Sequence, residues 1–565
     1  MPVSFHHNLF VVSLLTVCAT AEAQLIGRWP VPAFPPGNPT SASGLDPLAG
    51  RREALGKMLF WDEQLSHDRT MACGSCHAME FGGNDKNGGV QNAGFNGVFG
   101  DADDNFGSPG VVRQDINGDY FADPLFGVER QPTLLNAPTM IGAAFFDKLF
   151  WDKRAGPNLH NEDGTPDPDP GFQNNAALED QAAGPPISSV EMGHDGIVWS
   201  EIEQKLGAMQ PLALAVSIPP TFPVVTNTNY QRFFDIAFGP GPITRKNVAI
   251  ALAAYMRTLV PDQAPVDLGT MTPDQVAGLN LFRTRGCATC HSNGGTIQFN
   301  AVTQTFPDAN DLLFSDGRAH NIRLDDHDFF PPGFPNDGFG RGVKTPTLRN
   351  VGLRKRLFHS GHMTSLTQAM EEQYNHPSTG VTFRFNPLLS TVSPGPGLKS
   401  EFDQALDFLE NALTDPRVVA GLPPFDSPVL RGDVAPFGHN LVGPGSVGTG
   451  GLVPQMIANA PPKIGNDDFK FGLGDALVGA PALLFFSRGL TPGQLINGIP
   501  LELDRNTMVR IGTFPVGPTG TTTFWTSIPD STLLIGEEID WQWFVLDPAN
   551  PSGVAASAAA RHIFF

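Results

Sequence analysis

Apolar residues recur at helical spacing in a few well-separated windows, and the stretches between them carry almost no period. Across residues 47–65, Leu55, Met58, Leu59 and Phe60 follow a 3.6-residue repeat, which predicts a helix. Residues 198–209 and 245–260 read the same way, the second with Val248, Leu252, Tyr255 and Met256 on one face. Residues 273–285 follow Thr272, whose hydroxyl can cap a helix, and begin with a proline where proline costs nothing. Residues 366–374 and 401–413 complete the helical set. Between them, 81–129 is rich in glycine and aspartate, 132–140 in turn formers, and 145–154 in aromatic side chains. Residues 156–175 have the composition of a surface insertion, and 312–350 is again loop-rich. Beyond about residue 428 the period changes, and β-prone runs stand at 482–486, 521–525 and 541–546. The pattern predicts a mainly α chain followed by a small C-terminal β-sandwich-like domain over 435–565.

Length and composition narrow this picture. At 565 residues the chain has room for two to four domains. Its 41% apolar content can build real cores, while 62 glycines and 52 prolines demand many connections. A formal charge of −21 argues against nucleic acid and anionic membrane surfaces, and suits a basic protein partner. Residues 1–23 read as a signal peptide, with an apolar run over 9–17 and Ala21-Glu22-Ala23 as the cleavage site. A lipid anchor at Cys18 is disfavoured by the large Val17 before it. No other apolar run reaches the ~18 residues of a membrane span, so an exported, periplasmic chain without a transmembrane segment is expected. Residues 24–45 look like an extended arm.

The chemistry is concentrated in cysteines. Four of the five fall in Cys73-Gly74-Ser75-Cys76-His77 and Cys287-Ala288-Thr289-Cys290-His291. Two cysteines three apart with a following histidine form the attachment motif of a c-type haem: each thiol adds to a vinyl group and the histidine ligates iron. A thioredoxin-like pair does not require the histidine, and a zinc ribbon would not separate its halves by over two hundred residues. Two covalent haems are therefore expected, with His77 and His291 as proximal ligands. Each motif is preceded by a predicted helix. The run Asp115-Ile116-Asn117-Gly118-Asp119, with Asp123, starts like a calcium loop, but Phe126 stands where the twelfth-position acid belongs. A solvated loop is the better reading.

Taken together the motifs resemble the bacterial dihaem cytochrome c peroxidase family, which includes MauG, over roughly residues 45–430. The resemblance rests on Leu55-Gly56-Lys57-Met58-Leu59-Phe60, Phe150-Trp151-Asp152-Lys153-Arg154 and Val190-Glu191-Met192-Gly193, in the family's order around the two haem motifs. It rests further on Ala253-Ala254-Tyr255-Met256-Arg257-Thr258-Leu259-Val260 and Thr345-Pro346-Thr347-Leu348-Arg349-Asn350. It implies two cytochrome c-like haem domains, 46–262 (peroxidatic) and 263–430 (electron-transfer). It also implies that Glu191 is the distal acid–base group, that Gln181 assists it by hydrogen bonding, and that Trp151 lies between the haems.

The chain departs from the family in three places. No histidine occurs between His77 and His160, so the first haem is expected to be five-coordinate or water-bound, although Met79 and Met140 could coordinate. The second haem's other ligand, counted fourteen residues from His359 in Phe358-His359-Ser360-Gly361, falls on Gln373. The adjacent Tyr374 is favoured, with Met370, His362 and His376 left open. At the family's interdomain calcium site the expected positions hold Arg130, Arg354 and Arg356. Three cations there predict no calcium, with arginines making the interdomain contacts instead.

The function implied is reduction of hydrogen peroxide to water, with electrons from a small donor protein of cytochrome c or cupredoxin type. A MauG-like oxidase or a dihaem oxygenase acting on a protein or organic substrate is the nearer alternative. A dihaem electron-transfer cytochrome is the third reading, and it would make Glu191 irrelevant.

Overall fold

The computed structural model describes residues 49–565 except 95, 101–102, 175, 225–226, 293–311, 321–341, 376–388, 434–439 and 459–461. Residues 49 and 372–375 are described by backbone alone. The leader and arm expected over 1–45 lie outside these residues.

The first helical unit is built around two crossing helices, α1 (Ala49–Trp61) and α5 (Arg245–Thr258). Leu55, Met58, Leu59 and Phe60 of α1 share one core with Val248, Leu252, Tyr255 and Met256 of α5. Each such side chain contributes about 1.5–3 kcal/mol on leaving water. The single apolar face read for α5 understates it: every residue from Val248 to Thr258 is buried. The helix runs through the middle of the unit, as an all-round apolar helix does. Around the pair lie α2 (Ala177–Ala182), α3 (Trp199–Ala208) and α4 (Tyr230–Phe238). Two short antiparallel ribbons carry the aperiodic stretch between: Val90–Asn92 with Asn105–Gly107, and Pro109–Val112 with Arg130–Pro132.

A second, smaller core joins α6 (Pro273–Thr284), α7 (Leu366–Asn375) and α8 (Glu401–Asp407), the last continuing as a wider π turn over Phe408–Ala412. The Thr272 hydroxyl accepts from Gln275 N at 3.2 Å and the Gln275 side chain accepts from Thr272 N at 2.9 Å, a capping box that fixes where α6 starts. Phe282, Phe314 and Phe408 meet at its centre, ring centroids 5.6–5.8 Å apart.

The C-terminal region is β-rich. Its strands are β1 (Asn440–Val442), β2 (Gln455–Ile457), β3 (Phe469–Gly474), β4 (Pro481–Ser487), β5 (Leu490–Ile496), β6 (Ile499–Leu503), β7 (Val509–Pro515), β8 (Thr522–Thr526), β9 (Glu538–Leu546), β10 (Val554–Ala556) and β11 (Ala559–Ile563). One sheet runs β7-β4-β9-β11-β1 with β10 also on β9, a second runs β8-β3-β2, and β5-β6 form a hairpin. Leu484 and Trp543, cross-strand partners of the first sheet, share a core with Phe471 and Leu473 of the second. The two sheets thus close on one apolar layer.

This β unit is docked on the first helical unit. Lys470 of β3 donates to the side chain of Gln114 and, at 2.8 Å, to the Gly118 carbonyl. Thr521 donates to the Tyr120 carbonyl at 2.7 Å, and Tyr120 N donates to Thr523 Oγ1 at 2.8 Å. The loop with the calcium-like start is therefore a docking element: Asp115 Oδ1 accepts from Asn117 N and Asp119 N within the loop itself.

Candidate haem sites and distal pocket

The first motif forms a single helical turn, Cys73–Cys76, immediately beneath Trp61 of α1. Glycine is needed at position 74, where a Cβ would lie 2.1 Å from the indole ring. The turn opens on a cavity of about 460 Å³ whose lining includes Cys73, Cys76, His77, Glu191 and Gln181. Leu178, Leu252, Met256, Met140 and Phe60 make much of the remaining wall. His77 Nδ1 lies 3.3 Å from the Gly83 carbonyl, a bond that assigns its proton to Nδ1 and leaves Nε2 for iron. Burial pushes the Cys73 thiol up to about 12 and Cys76 higher still. The two thiols and the oriented imidazole open on one cavity, which is the donor set of c-type haem attachment. The residues present fit a covalently attached haem.

Glu191 is carried by a tight turn: Met192 N and Gly193 N both donate to the Ser188 carbonyl, at 3.0 and 2.7 Å. The ribbon strand Pro109–Val112 holds this turn from behind. Val111 N donates to the Val190 carbonyl at 3.0 Å, and Gln131 donates to the Ser189 carbonyl at 3.0 Å. Gly110 faces the same segment, and a Cβ there would lie 1.8 Å from the Val190 oxygen. The turn's far end is fixed by Asp195, whose N donates to the Gln114 carbonyl and whose carboxylate takes Arg113 at 2.9 and 3.0 Å. Gln114 is the residue that Lys470 of the β unit grips. Burial raises the Glu191 carboxyl above its ordinary value, and Arg154 partly offsets this. A carboxyl so raised exchanges protons nearer neutrality.

Gln181 lines the cavity from α2. Two residues earlier, Glu179 makes a fully buried bidentate pair with Arg257 of α5, at 2.8 and 3.0 Å, which ties the short helix to the central one. Trp151 lines both this cavity and the next, and its Nε1 donates to the Asn136 carbonyl at 2.7 Å.

The second motif begins as a turn, Cys287–Thr289, just after α6, and opens on a cavity of about 210 Å³. His291 Nδ1 lies 2.7 Å from the Phe314 carbonyl, the same orienting bond as at His77. Burial pushes the Cys287 thiol up to about 11. These residues too fit a thioether-linked haem. Of the ligands left open, Met370 lines this cavity. His362 is turned away, its Nε2 2.6 Å from the Asp104 carbonyl and its ring against Phe106. His376 and the side chains of Tyr374 and Gln373 lie outside the described residues. Of the two methionines weighed for the first haem, Met140 lines the first cavity, whereas Met79 is packed in the core.

The three arginines divide. Arg356 reaches from the second unit to the Gly88 carbonyl and stacks on Phe106 at 3.8 Å, an interdomain contact. Arg130 donates to the Gly110 carbonyl at 2.8 Å, and Arg354 donates to the Arg349 and Thr347 carbonyls while its stem lies against Gly82 of the first unit. Of the arginines expected to make interdomain contacts, Arg356 makes one through its guanidinium. Sequence reasoning also missed Lys344, His320 and His359, which line the second cavity. His359, in the Phe-His-Ser-Gly run, packs edge-on to Trp151 with centroids 6.2 Å apart. His320 bonds Asp316 at 2.7 Å, which chiefly raises it to about 10, with Cys290 adding to the effect.

Residues 50–272 match the family described as di-haem cytochrome c peroxidase. The chain is 26% identical to cytochrome c peroxidase of Escherichia coli (strain K12) over 337 residues, 58% of this chain and 53% of that one. It is 28% identical over 335 residues to cytochrome c551 peroxidase of Pseudomonas aeruginosa, covering 57% and 72% of the two chains. It is 23% identical over 384 residues to the methylamine utilization protein MauG of Methylophilus methylotrophus, covering 64% and 83%. The aligned part thus spans about half the length of the Escherichia coli relative.

Proposed function

Because this chain belongs to the dihaem cytochrome c peroxidase and MauG family, we propose that it is an exported oxidoreductase that reduces hydrogen peroxide to water at the first cavity. Electrons come from a small cytochrome c or cupredoxin by way of the second. The observation that carries the reading is Glu191 lining the same cavity as Cys73, Cys76 and His77, with no second imidazole among the described lining residues. Cys73, Cys76 and His77 would hold a haem, which would supply the redox chemistry of peroxide reduction. Glu191 would hold and return the proton that O–O cleavage of peroxide in this cavity requires. Gln181 donates a hydrogen bond that orients the peroxide, and the apolar wall of Leu252, Met256 and Leu178 excludes bulk water. Trp151, in the wall of both cavities, is the side chain through which they communicate. Export rests on the leader sequence and on the extracytoplasmic chemistry of c-type haem attachment, and interdomain calcium is not expected beside Arg356.

The test is peroxide turnover by the holoprotein with a reduced small cytochrome as donor, comparing wild type with Glu191→Gln. A loss of about 10²–10⁴ in turnover, with both haems retained, is the expected result. Equal turnover by the two would overturn the assignment of Glu191. A MauG-like oxidation of a protein substrate uses the same pocket and is separated by its product: oxidised partner in place of oxidised donor.

A further inference from the structure

Lys344 stands out among the charged side chains that the function above leaves unused. It is 6% exposed and lines both cavities. Its backbone N donates to the carbonyl of Trp151, which also lines both cavities, at 2.8 Å. The ammonium lies 3.8 Å from the centre of the Phe146 ring, and among the described residues it has no carboxylate within ion-pair distance. The carboxylates whose field reaches it are Asp147 and Asp316, and Asp316 is already bonded to His320. Lys153 and Arg354 act against them.

Arg354 lines the second cavity alongside it. Its Nη2 is spent on the carbonyls of Thr347 and Arg349, but its buried Nε has no partner among the described residues. Burial lowers Arg354 to about 10 and Lys344 to about 7, so the protein bears a cost to keep positive charge here. Leaving a buried charge uncompensated costs several kcal/mol, and a cavity wall carrying two such groups is built for an anion that the chain itself does not provide.

We propose that Lys344 and Arg354 form an anion seat in the wall of the second cavity, which takes a propionate carboxylate of the haem held by Cys287 and Cys290. The pairing is charge-assisted and short-range, and a positive charge held against that propionate favours the reduced iron. Lys344 is then a positioning residue that sets the potential of the second haem. The inference rests on the reading of both motifs as haem sites, not on peroxide chemistry.

The experiment uses the full-length holoprotein, without peroxide or donor. Covalent haem is counted by the pyridine haemochrome assay, and both midpoint potentials are read by spectroelectrochemical titration in wild type, Lys344→Met and Lys344→Arg. Two haems per chain are expected in wild type, and fewer would fail the haem reading itself. Lys344→Met should lower one midpoint by roughly a tenfold change in the reduction equilibrium, about 59 mV for a one-electron couple. Lys344→Arg should restore most of it. Loss of one haem in Lys344→Met with retention in Lys344→Arg supports the seat equally. Unmoved potentials in Lys344→Met, or the same shift or haem loss in both variants, would overturn it.

Discussion

Gly110→Ala is the smallest change that should disable the distal pocket while leaving haem attachment intact. A methyl there would lie 1.8 Å from the Val190 oxygen and 3.0 Å from the Glu191 Cα, where ordinary contact begins near 3.4 Å. The contacting atoms are backbone and cannot turn aside, so the Glu191 segment has to retreat by about 1.5 Å or the ribbon has to bow. Catalytic groups lose about 10²-fold when misplaced by ~1 Å, and overpacking of this kind costs about 1–3 kcal/mol of stability. Stopped-flow reaction of the ferric holoprotein with hydrogen peroxide should slow about 100-fold in Gly110→Ala. The haem count should stay that of wild type. Gly156→Ala is the control, since nothing lies within 4 Å of its Cβ position, and it should react as wild type does. A folded Gly110→Ala protein that reacts within about threefold of wild type would refute the claim that this ribbon sets the position of Glu191.

Three further outcomes follow from the same geometry. Arg257→Met strands the buried Glu179 carboxylate and should cost about 3–5 kcal/mol in urea unfolding, with Glu179→Met in the same chain recovering most of it; a single-variant cost below about 1 kcal/mol would count against the pair. Burial raises the folded Glu191 carboxyl above 4.5, so its stabilising contribution is complete below that value and is lost as pH rises through the folded one. Glu191→Gln should therefore melt higher than wild type at neutral pH and equally at low pH; wild-type peroxide reaction should fall as the pH drops through the raised value. Lys470→Met removes the donor to Gln114 and Gly118, and should expose residues 113–123 to proteolysis and slow the peroxide reaction, whereas unchanged values in both assays would leave the β unit without influence on the pocket.

What could be read from the chain depended on whether its signal was local. The haem turns, the capping box at Thr272 and the helices flanking each motif are written in short windows, and they stand where spacing put them. Helix α4 escaped notice because it follows a proline- and threonine-rich stretch, and it is anchored by a distant group, the Tyr230 hydroxyl donating to Asp62 at 2.7 Å. Two of the β runs picked out fall within β4 and β9 and the third overlaps β8 with a one-residue offset, whereas β5 and β7 carry too many exposed or polar positions to alternate cleanly. Glu191, Gln181 and Trp151 were legible only through resemblance, since a carboxylate, an amide and an indole have no spacing rule of their own. Lys344 was not legible at all, and Arg354 was read only as a cation at the expected calcium position. Their meaning comes from the wall of the second cavity, which tertiary packing creates.

The account turns on an open iron site facing Glu191, and electron paramagnetic resonance of the as-isolated ferric holoprotein, before and after hydrogen peroxide, tests it most directly. A high-spin signal beside a low-spin one is expected, with the high-spin signal consumed rapidly in wild type and about 10²-fold more slowly in Glu191→Gln. Two low-spin signals indifferent to peroxide, in both proteins, would contradict it and leave an electron carrier.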